Sequence, residues 1–229
     1  MRLQIANRIF IVQDKPSFID IHTHQADQPS SSVYRVRNII VDQDDVLDEA
    51  CSVGIHPWYI RDDGTAQLVT LREMLQTNPA ILAIGECGLD KVTEIDWQTQ
   101  ELVFATQLHL ANEFAKPVIV HCVRAYQEVI QQVKAAKNTT PIIMHGFKKS
   151  KELADQLLQQ GFYLSLGADI LKGRQDQLIS SIPLGRLFLE TDDSDIPISQ
   201  IYTYFCRVRN LSMDELQAQL WSNFEEVFN

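Results

Sequence analysis

Short apolar runs, rich in β-branched residues, alternate with longer helical stretches along most of this chain. Eight such runs occur between residues 18 and 192, each about as long as one buried strand. Strands that alternate with helices predict βαβ units and a mainly parallel sheet. Eight of them predict closure into a barrel. The candidate strands are Phe18–His24, Tyr34–Val41, Cys51–His56, Ala80–Glu86, Pro117–Cys122, Pro141–His145, Phe162–Gly167 and Arg186–Asp192.

Helical periodicity and helix-end residues predict helices between the later strands. Ser150 is typical of an N-cap residue and Gly161 of a residue just past a helix C-terminus. Ser212 and Glu215 have the spacing of a capping box, which predicts a last helix ending near Phe228. The other candidate helices are Thr65–Thr77, Trp97–Ala115, Arg124–Ala136, Ser150–Gln160 and Gln175–Ser181.

The first third of the chain breaks this rhythm. Only about nine residues join His24 to Tyr34, and about nine join Val41 to Cys51. A parallel crossover usually needs about a dozen residues or more. We therefore expect the segment Tyr34–Val41 to run antiparallel to its neighbours, or to lie outside the barrel, with no helix of its own. The fold expected is a distorted TIM (β/α) barrel with an irregular second strand region and missing early helices.

Composition narrows the class of protein. The chain has 229 residues, 45% apolar and 22% charged, which suits a folded core and excludes a disordered protein. No internal repeat or flexible linker occurs, so we expect a single domain over residues 1–229. The net charge of −10 excludes a broad basic surface for nucleic acid, but it leaves room for a small positive site built from bound metal ions.

The cysteines and the longest apolar runs bear on location. The four cysteines, Cys51, Cys87, Cys122 and Cys206, lie far apart, so we expect reduced thiols in a cytoplasmic protein. No apolar run approaches the length of a membrane span, and Met1–Lys15 does not have the pattern of a signal peptide. We therefore expect no membrane partner.

Most of the six histidines end a candidate strand, and two carboxylates do the same. Residues i and i+2 of a strand share a face, so His22 and His24 can bind one metal ion together. The carboxyl ends of barrel strands form one ring around an active site. Imidazole and carboxylate groups on that ring suit zinc, manganese or a related divalent ion, and there are more of them than one tetrahedral ion needs. Two ions bridged by a carboxylate would use them all.

The motifs at these strand ends resemble the TatD family of metal-dependent hydrolases, which belongs with the amidohydrolase-like barrels. The resemblance runs from about Phe18 to Phe228, nearly the whole chain. Its most specific segment is Gly85-Glu86-Cys87-Gly88-Leu89-Asp90. The other motifs are Ile21-His22-Thr23-His24, Gly54-Ile55-His56-Pro57, Pro117-Val118-Ile119-Val120-His121, Met144-His145-Gly146-Phe147 and Glu190-Thr191-Asp192.

The resemblance implies two divalent metal ions, zinc, manganese or magnesium, and a set of residues for each. Family members are mostly described as nucleases or phosphodiesterases, so DNA or a small phosphoester is the implied substrate. The first ion would be held by His22, His24 and Asp192 and the second by His121 and His145, with Glu86 bridging them or joining one site, while His56 would line the pocket and contact the scissile group.

Three departures from the family pattern border the implied substrate cleft, and one of them is the short segment between the His-x-His and Gly-x-His-Pro motifs. The family usually places an arginine two residues after the histidine of the fifth strand, whereas here Arg124 follows His121 by three. Arg124 is nevertheless a candidate phosphate contact. After the final aspartate the family usually reads Ala/Ser-Pro-Tyr, whereas this chain reads Asp193-Ser194-Asp195-Ile196-Pro197.

The predicted function is phosphodiester hydrolysis, most simply of DNA. A hydroxide held between the two ions would attack phosphorus in line, with Asp192 as metal ligand and proton acceptor. The net charge favours a small substrate, a strand end, or local binding through the metals and Arg124. Hydrolysis of an amide, lactone or aminoacyl ester on the same centre is one alternative. A metal-binding scaffold without catalysis is another, and no protein partner can be inferred.

Overall fold

Eight parallel strands make a single sheet in the computed structural model, which describes residues 15–25, 31–44 and 49–228. The strands follow one another in chain order, and Thr23 at the end of the first forms a parallel bridge with Asp192 after the last. The sheet is therefore a nearly closed barrel, which confirms the predicted fold class. The strands are β1 (Phe18–Thr23), β2 (Val33–Ile40), β3 (Cys51–Gly54), β4 (Ile81–Asp90), β5 (Val118–Val123), β6 (Ile142–Met144), β7 (Tyr163–Leu166) and β8 (Leu187–Leu189).

Helices follow each strand from β3 onwards and pack around the barrel. The helix that begins after Pro197 is absent from the sequence prediction, although its buried residues Ile198, Ile201, Tyr202 and Phe205 have the i, i+3, i+4, i+7 spacing of a core-facing stripe. The helices are α1 (Thr65–Thr77), α2 (Trp97–Phe114), α3 (Tyr126–Ala135), α4 (Lys151–Gln159), α5 (Asp176–Ser181), α6 (Ile198–Arg209) and α7 (Met213–Phe228).

The second strand corrects the sequence analysis. Strand β2 pairs in parallel with both β1 and β3, so the expectation that Tyr34–Val41 runs antiparallel or lies outside the barrel is wrong. A nine-residue connection can span roughly 30 Å when extended, and a six-residue strand is only about 20 Å long. A plain loop can therefore return the chain to the start of the next strand. The described residues of these two connections, 24–25, 31–32, 41–44 and 49–50, contain no helix, as expected.

Two of the three register shifts among the described strands decide the directions of His22 and Glu86. Asp20 pairs with Arg35 but Thr23 pairs with Arg37, so β1 advances three residues while β2 advances two. Strand β4 does the same against β5, from Ile84 to Cys87. An extra residue reverses the alternation of faces beyond it. Ile19, Ile21 and Ala83 therefore pack inside the barrel with Ile119, and beyond the bulges His22 and Glu86 also point inward.

The structure bears on the expected absence of a membrane span, but it describes little of the segment examined for a signal peptide. No helix in the described part of the chain has the length and apolar character needed to cross a membrane. Of the segment Met1–Lys15, only Lys15 lies within the described residues.

We expect Tyr202→Phe to lower the free energy of unfolding, because the Tyr202 hydroxyl binds the backbone of β1. The buried Tyr202 hydroxyl donates a hydrogen bond to the carbonyl oxygen of Ile19 (2.9 Å) and accepts one from its amide (3.1 Å). Removing the hydroxyl takes this partner from two buried backbone groups, which costs about 1–3 kcal/mol. Urea denaturation measures this cost. Tyr204→Phe, which loses only a hydrogen bond to Asp176 at the surface, should change the free energy of unfolding by less than about 0.5 kcal/mol. Equal losses in the two variants would contradict the assignment.

Candidate metal centre

The carboxyl ends of the strands bring the predicted ligands together. His22 and Glu86 belong to β1 and β4 and His121 to β5, and the other residues closely follow strands. All seven side chains that the sequence predicts for metal or scissile-group contact meet at this end of the barrel. They are His22, His24, His56, Glu86, His121, His145 and Asp192.

The Glu86 carboxylate stands at the middle of this group and is almost completely buried. Its two oxygens face different histidines, so one carboxylate divides the imidazoles into two sets. Oε2 lies 3.4 Å from Nε2 of His22 and 3.3 Å from Nε2 of His24, whereas Oε1 lies 2.7 Å from Nδ1 of His121, 2.8 Å from Nε2 of His145 and 3.3 Å from Nε2 of His56.

The first set has the chemistry of a metal site. Asp192 Oδ1 lies 3.7 Å from Nε2 of both His22 and His24, and the three ligand atoms fall within 4.8 Å of one another. His22 is fully buried, yet neither of its ring nitrogens has a hydrogen-bond partner among the described residues. A buried polar group without a partner is costly. A cation bound by His22, His24 and Asp192 would remove that cost, so these residues fit a divalent ion.

The second set, around Oε1 of Glu86, has one more candidate metal ligand than the sequence predicts, namely His56. His121 and Glu86 form a possible ligand group with His56, and Glu86 and His145 form one with His22. The resemblance assigns His56 to substrate contact, and its position also suits a ligand. Its Nδ1 accepts a hydrogen bond from the amide of Trp58, which leaves Nε2 directed at Glu86.

Burial and neighbouring charges have opposite effects on the pKa values of Glu86 and His145. Burial works to raise the pKa of Glu86, but attraction to His145 and hydrogen bonding to His121 outweigh it and hold that pKa well below the usual range. Burial works to lower the pKa of His145, yet Glu86 and Glu190 raise it well above its ordinary value. A proton on His145 thus balances these carboxylates, and a metal ion that binds here would displace it.

Asp192 is placed by its backbone. Its amide donates to the carbonyl oxygen of His22 (3.0 Å), and its own carbonyl accepts from the amide of His24 (3.2 Å). The preceding Thr191 donates from its amide and its hydroxyl to the buried Asp20 carboxylate, whose pKa burial raises to about 6. Burial, together with the nearby charge of Glu190, also raises the pKa of Asp192. The carboxylate is therefore held at the joint between the first and last strands.

The Glu86 backbone is fixed by a polar side chain and by glycines. The Glu86 amide donates to Oδ1 of Asn38 (2.6 Å), a buried residue of β2. A Cβ added to Gly54 would lie 2.7 Å from the carbonyl oxygen of Glu86, and one added to Gly88 would lie 2.0 Å from that of His121. Gly88 also has a φ of 152°. Only glycine lets these backbones approach so closely while they carry the candidate ligands.

Asp90 connects the centre to its rim. Its Oδ2 accepts a hydrogen bond from the indole Nε1 of Trp58 (2.6 Å) and lies 3.2 Å from Nε2 of His121. Trp58 is 53% exposed, so its ring faces the opening of the barrel. Asp90 thus orients a candidate ligand and an exposed aromatic ring at once.

Glu190 is a site residue to which the sequence analysis gives no role. It is completely buried, its Oε1 accepts a hydrogen bond from the Gly146 amide (2.6 Å), and it lies 3.4 Å from Nδ1 of His145. A carboxylate oxygen of Glu190 lies within 4.8 Å of a ring nitrogen of His145 and of a carboxylate oxygen of Asp192, so the three residues form a further possible ligand group. The sequence carries a signal for it, because Glu190 precedes Asp192 by two residues and shares its inward face.

Arg124 lies just after β5 and is not one of the clustered side chains, so its predicted role as a phosphate contact stays a prediction. Its side chain is exposed, and it makes no hydrogen bond or ion pair with any described residue. It follows the end of β5 with a positive φ of 56°. The unusual loop after Asp192 does border the site, because Asp193, Ser194 and Ile196 line a cavity of about 400 Å³ that Glu190 and Asp192 also line.

Comparison with known proteins agrees with this geometry. A family model for TatD related DNases matches residues 48–229. An uncharacterized metal-dependent hydrolase, YjjV of Escherichia coli K12, is 27% identical over 196 residues, which covers 78% of this chain and 76% of the relative. The 3'-5' ssDNA/RNA exonuclease TatD of Klebsiella pneumoniae is 32% identical over 150 residues, 62% of this chain and 56% of the relative.

Solved structures agree on the fold. The crystal structure of the E. coli TatD homologue YjjV superposes with a TM-score of 0.81 at 23% identity, covering 93% of this chain and 98% of that one. A TatD family hydrolase from Entamoeba histolytica gives a TM-score of 0.68 at 20% identity, covering 78% of this chain and 74% of that one. The residues that the family model matches include most of the barrel and every candidate ligand except His22 and His24. The chain therefore belongs to the TatD family of metal-dependent hydrolases.

Proposed function

We propose that this protein is a divalent-metal-dependent phosphodiesterase that acts on nucleic acid. The observation that carries the proposal is the division of the histidines by the two oxygens of Glu86. A carboxylate with imidazoles on both of its oxygens is suited to bridge two ions, and two-metal centres are typical of enzymes that cleave phosphodiesters.

The residues assigned to the ions follow the two sets. We assign His22, His24 and Asp192 to the first ion and His121 and His145 to the second, with Glu86 between them. When bound, the two ions would supply Lewis-acid charge to phosphoryl oxygens and make water acidic enough to act as a nucleophile at neutral pH. Zinc, manganese and magnesium are the candidate ions.

The protein side chains supply positioning and proton transfer. The Asp192 side chain is 38% exposed, whereas that of Glu86 is almost completely buried, and Asp192 also lines the cavity where substrate would enter. We assign it as proton acceptor. His56, beside Glu86 and in contact with the exposed ring of Trp58, is positioned to contact the group being cleaved.

The names of several relatives support a phosphodiester as the bond that is cleaved. Relatives with 31–32% identity are named 3'-5' ssDNA/RNA exonucleases, while YjjV is named only as an uncharacterized metal-dependent hydrolase. Hydrolysis of an amide, lactone or aminoacyl ester would use the same groups. The four cysteines are free, and the cytoplasmic location expected from them stays a prediction.

A substrate panel tests the proposal. The protein is stripped with chelator, loaded separately with Mg²⁺, Mn²⁺ or Zn²⁺, and offered bis(4-nitrophenyl) phosphate, single-stranded oligonucleotides, a lactone and an aminoacyl ester. We expect metal-dependent hydrolysis of the phosphodiesters. Turnover of the carbonyl substrates alone would overturn the choice of bond, and turnover of none would favour a metal-binding scaffold.

The double variant His22→Ala/His24→Ala should lose one equivalent of bound metal. It removes two of three candidate ligands of the first ion and leaves His121 and His145 intact. Elemental analysis after dialysis measures the stoichiometry. His109→Ala is the matched control, because His109 is an exposed histidine of α2 and should leave metal content unchanged. Equal metal in the double variant and the parent would contradict the assignment.

A further inference from the structure

A cationic tract leads away from the metal centre along one side of the barrel opening. The cavity beside Glu190 and Asp192 is also lined by Lys148 and Lys172. A second cavity, of about 510 Å³, shares Lys148, Asp169 and Lys172 with the first. The second cavity adds two more cations, Lys149 and Arg174. The two cavities therefore form one path from the centre to the outer surface.

One acidic residue positions the inner part of this tract. Asp169 Oδ2 lies 3.0 Å from Nζ of Lys148, and its Oδ1 pairs with Lys172. The two lysine side chains remain 59% and 65% exposed. A single carboxylate thus holds two ammonium groups beside the path and neutralises only one of their charges. Both groups keep donors free for a further anion.

The outer part of the tract has uncompensated charge. Lys149 and Arg174 are exposed and make no ion pair or hydrogen bond with the described residues. The lining of the second cavity thus has four positive charges, with Lys148 and Lys172, against the one negative charge of Asp169, whereas the three further carboxylates of the first cavity, Glu190, Asp192 and Asp193, lie at or next to the metal centre. This local excess stands out in a chain whose net charge is −10.

The part of the opening that follows β3, β4 and β5 has the other sign. The cavities there are lined by Asp90, Glu94 and Glu128, and the one lysine among their linings, Lys91, pairs with Glu128. An anionic chain that reaches the centre is therefore repelled on this side and attracted on the other.

We propose that the tract of Lys148, Lys149, Lys172 and Arg174 binds successive phosphates of a single-stranded polynucleotide beyond the bond that is cleaved. The inference rests on the proposed function and adds the place outside the metal centre where the strand would bind. Cations that neutralise phosphates release bound counterions, which supplies sequence-independent affinity. The net charge of −10 is a sum over the whole chain, so it is compatible with one positively charged groove that binds nucleic acid locally.

The test compares two charge-reversal variants. Lys149→Glu/Arg174→Glu reverses the outer part of the tract and touches no candidate ligand. Lys134→Glu/Lys137→Glu makes the same charge change at the end of α3, where the chain turns back toward the amino end of β6 on the opposite face of the barrel. Fluorescence anisotropy with a 5′-labelled dT12 strand, in EDTA, measures binding without hydrolysis.

We expect Lys149→Glu/Arg174→Glu to weaken dT12 binding by about tenfold or more, and to reduce the salt slope of log Kd by about 1.4, about 0.7 for each lost phosphate contact. The Lys134→Glu/Lys137→Glu control should change Kd by less than about twofold. Parallel titrations with rU12 and with an oligoglutamate peptide of equal length separate RNA and simple polyanions from DNA. Unchanged binding in the tract variant, an equal loss in the control, or equal binding of the oligoglutamate peptide would overturn the inference.

Hydrolysis separates this inference from the proposed function. With Mn²⁺, Lys149→Glu/Arg174→Glu should cleave bis(4-nitrophenyl) phosphate at the parent rate and dT12 with a lower kcat/KM. If the parent hydrolyses no phosphodiester with any metal, the proposed function fails, while the anisotropy in EDTA still decides whether the tract binds a strand. If both substrates slow equally, the tract acts on the centre and not on the strand, and the inference is wrong.

Discussion

Asp192→Asn should give a folded protein that hydrolyses its substrate about 10²–10⁴-fold more slowly than the parent. Asparagine keeps the size of the side chain and one oxygen, but it removes the charge and the proton acceptor. That rate loss corresponds to roughly 3–5 kcal/mol of activation free energy. Steady-state kinetics at saturating metal, on whichever substrate the panel identifies, measures it.

Folding should survive this change because the backbone of residue 192 closes the barrel. The hydrogen bonds to His22 and His24 use the amide and carbonyl groups of Asp192, not its carboxylate. The residue has a positive φ of 54°, a conformation that asparagine tolerates about as well as aspartate. The second ion, assigned to His121 and His145, should also remain. We expect a folded, partly metallated and nearly inactive variant.

Asp195→Asn is the matched control. It makes the same chemical change three residues later, in the same loop but away from the candidate ligands, and should keep activity within a few-fold of the parent. If Asp192→Asn turns over the substrate within a few-fold of the parent at saturating metal, Asp192 is not the proton acceptor.

The sequence correctly places the candidate ligands at one end of the barrel because each of them ends or closely follows a strand. In β5, Ile119 and His121 share the inward face by simple alternation, so the direction of His121 follows from the pattern. In β1 and β4 it does not. Alternation from Ile21 alone would turn His22 outward, and alternation from Ala83 would turn Glu86 outward. Register shifts against the neighbouring strands correct both directions.

Such bulges are set by pairing between strands, which a single sequence does not display. The same limit explains the wrong expectation for β2, where loop length suggested a topology that the neighbouring strands override. For Arg124, motif spacing gives the place after β5 but not what its exposed side chain binds. Glu190 is different, because its spacing from Asp192 already indicates an inward face.

Replacement of Glu86 by glutamine should have the largest effect on the metal centre. The amide keeps the shape of the side chain but removes the buried negative charge that faces both sets of histidines. Glutamine offers one oxygen where the carboxylate offers two. We expect the variant to retain at most one equivalent of metal by elemental analysis, and to lose phosphodiester hydrolysis by at least the factor expected for Asp192→Asn.

Without metal, Glu86→Gln should also destabilise the protein. In the parent, the low pKa of Glu86 and the high pKa of His145 reflect a buried charge pair. Breaking such a pair by removing one partner costs at most about 3–5 kcal/mol, because His145 can also lose its proton when Glu86 no longer carries a charge. Glu190, 3.4 Å from His145, compensates in part, so we expect the lower end of that range in urea denaturation with EDTA. Glu73→Gln, on the exposed surface of α1, should change the free energy of unfolding by less than about 0.5 kcal/mol.

Metal addition distinguishes the two roles of Glu86. A ligand that binds only the folded state adds about 2.7 kcal/mol at a hundredfold excess over its Kd, so Mn²⁺ should raise the Tm of the parent clearly. The Tm of Glu86→Gln should rise less at every Mn²⁺ concentration, because the bridging oxygens are lost. If the variant keeps two equivalents of metal and the same Mn²⁺-dependent rise in Tm as the parent, the Glu86 carboxylate does not link two ion sites, and its assignment as the bridging ligand is wrong.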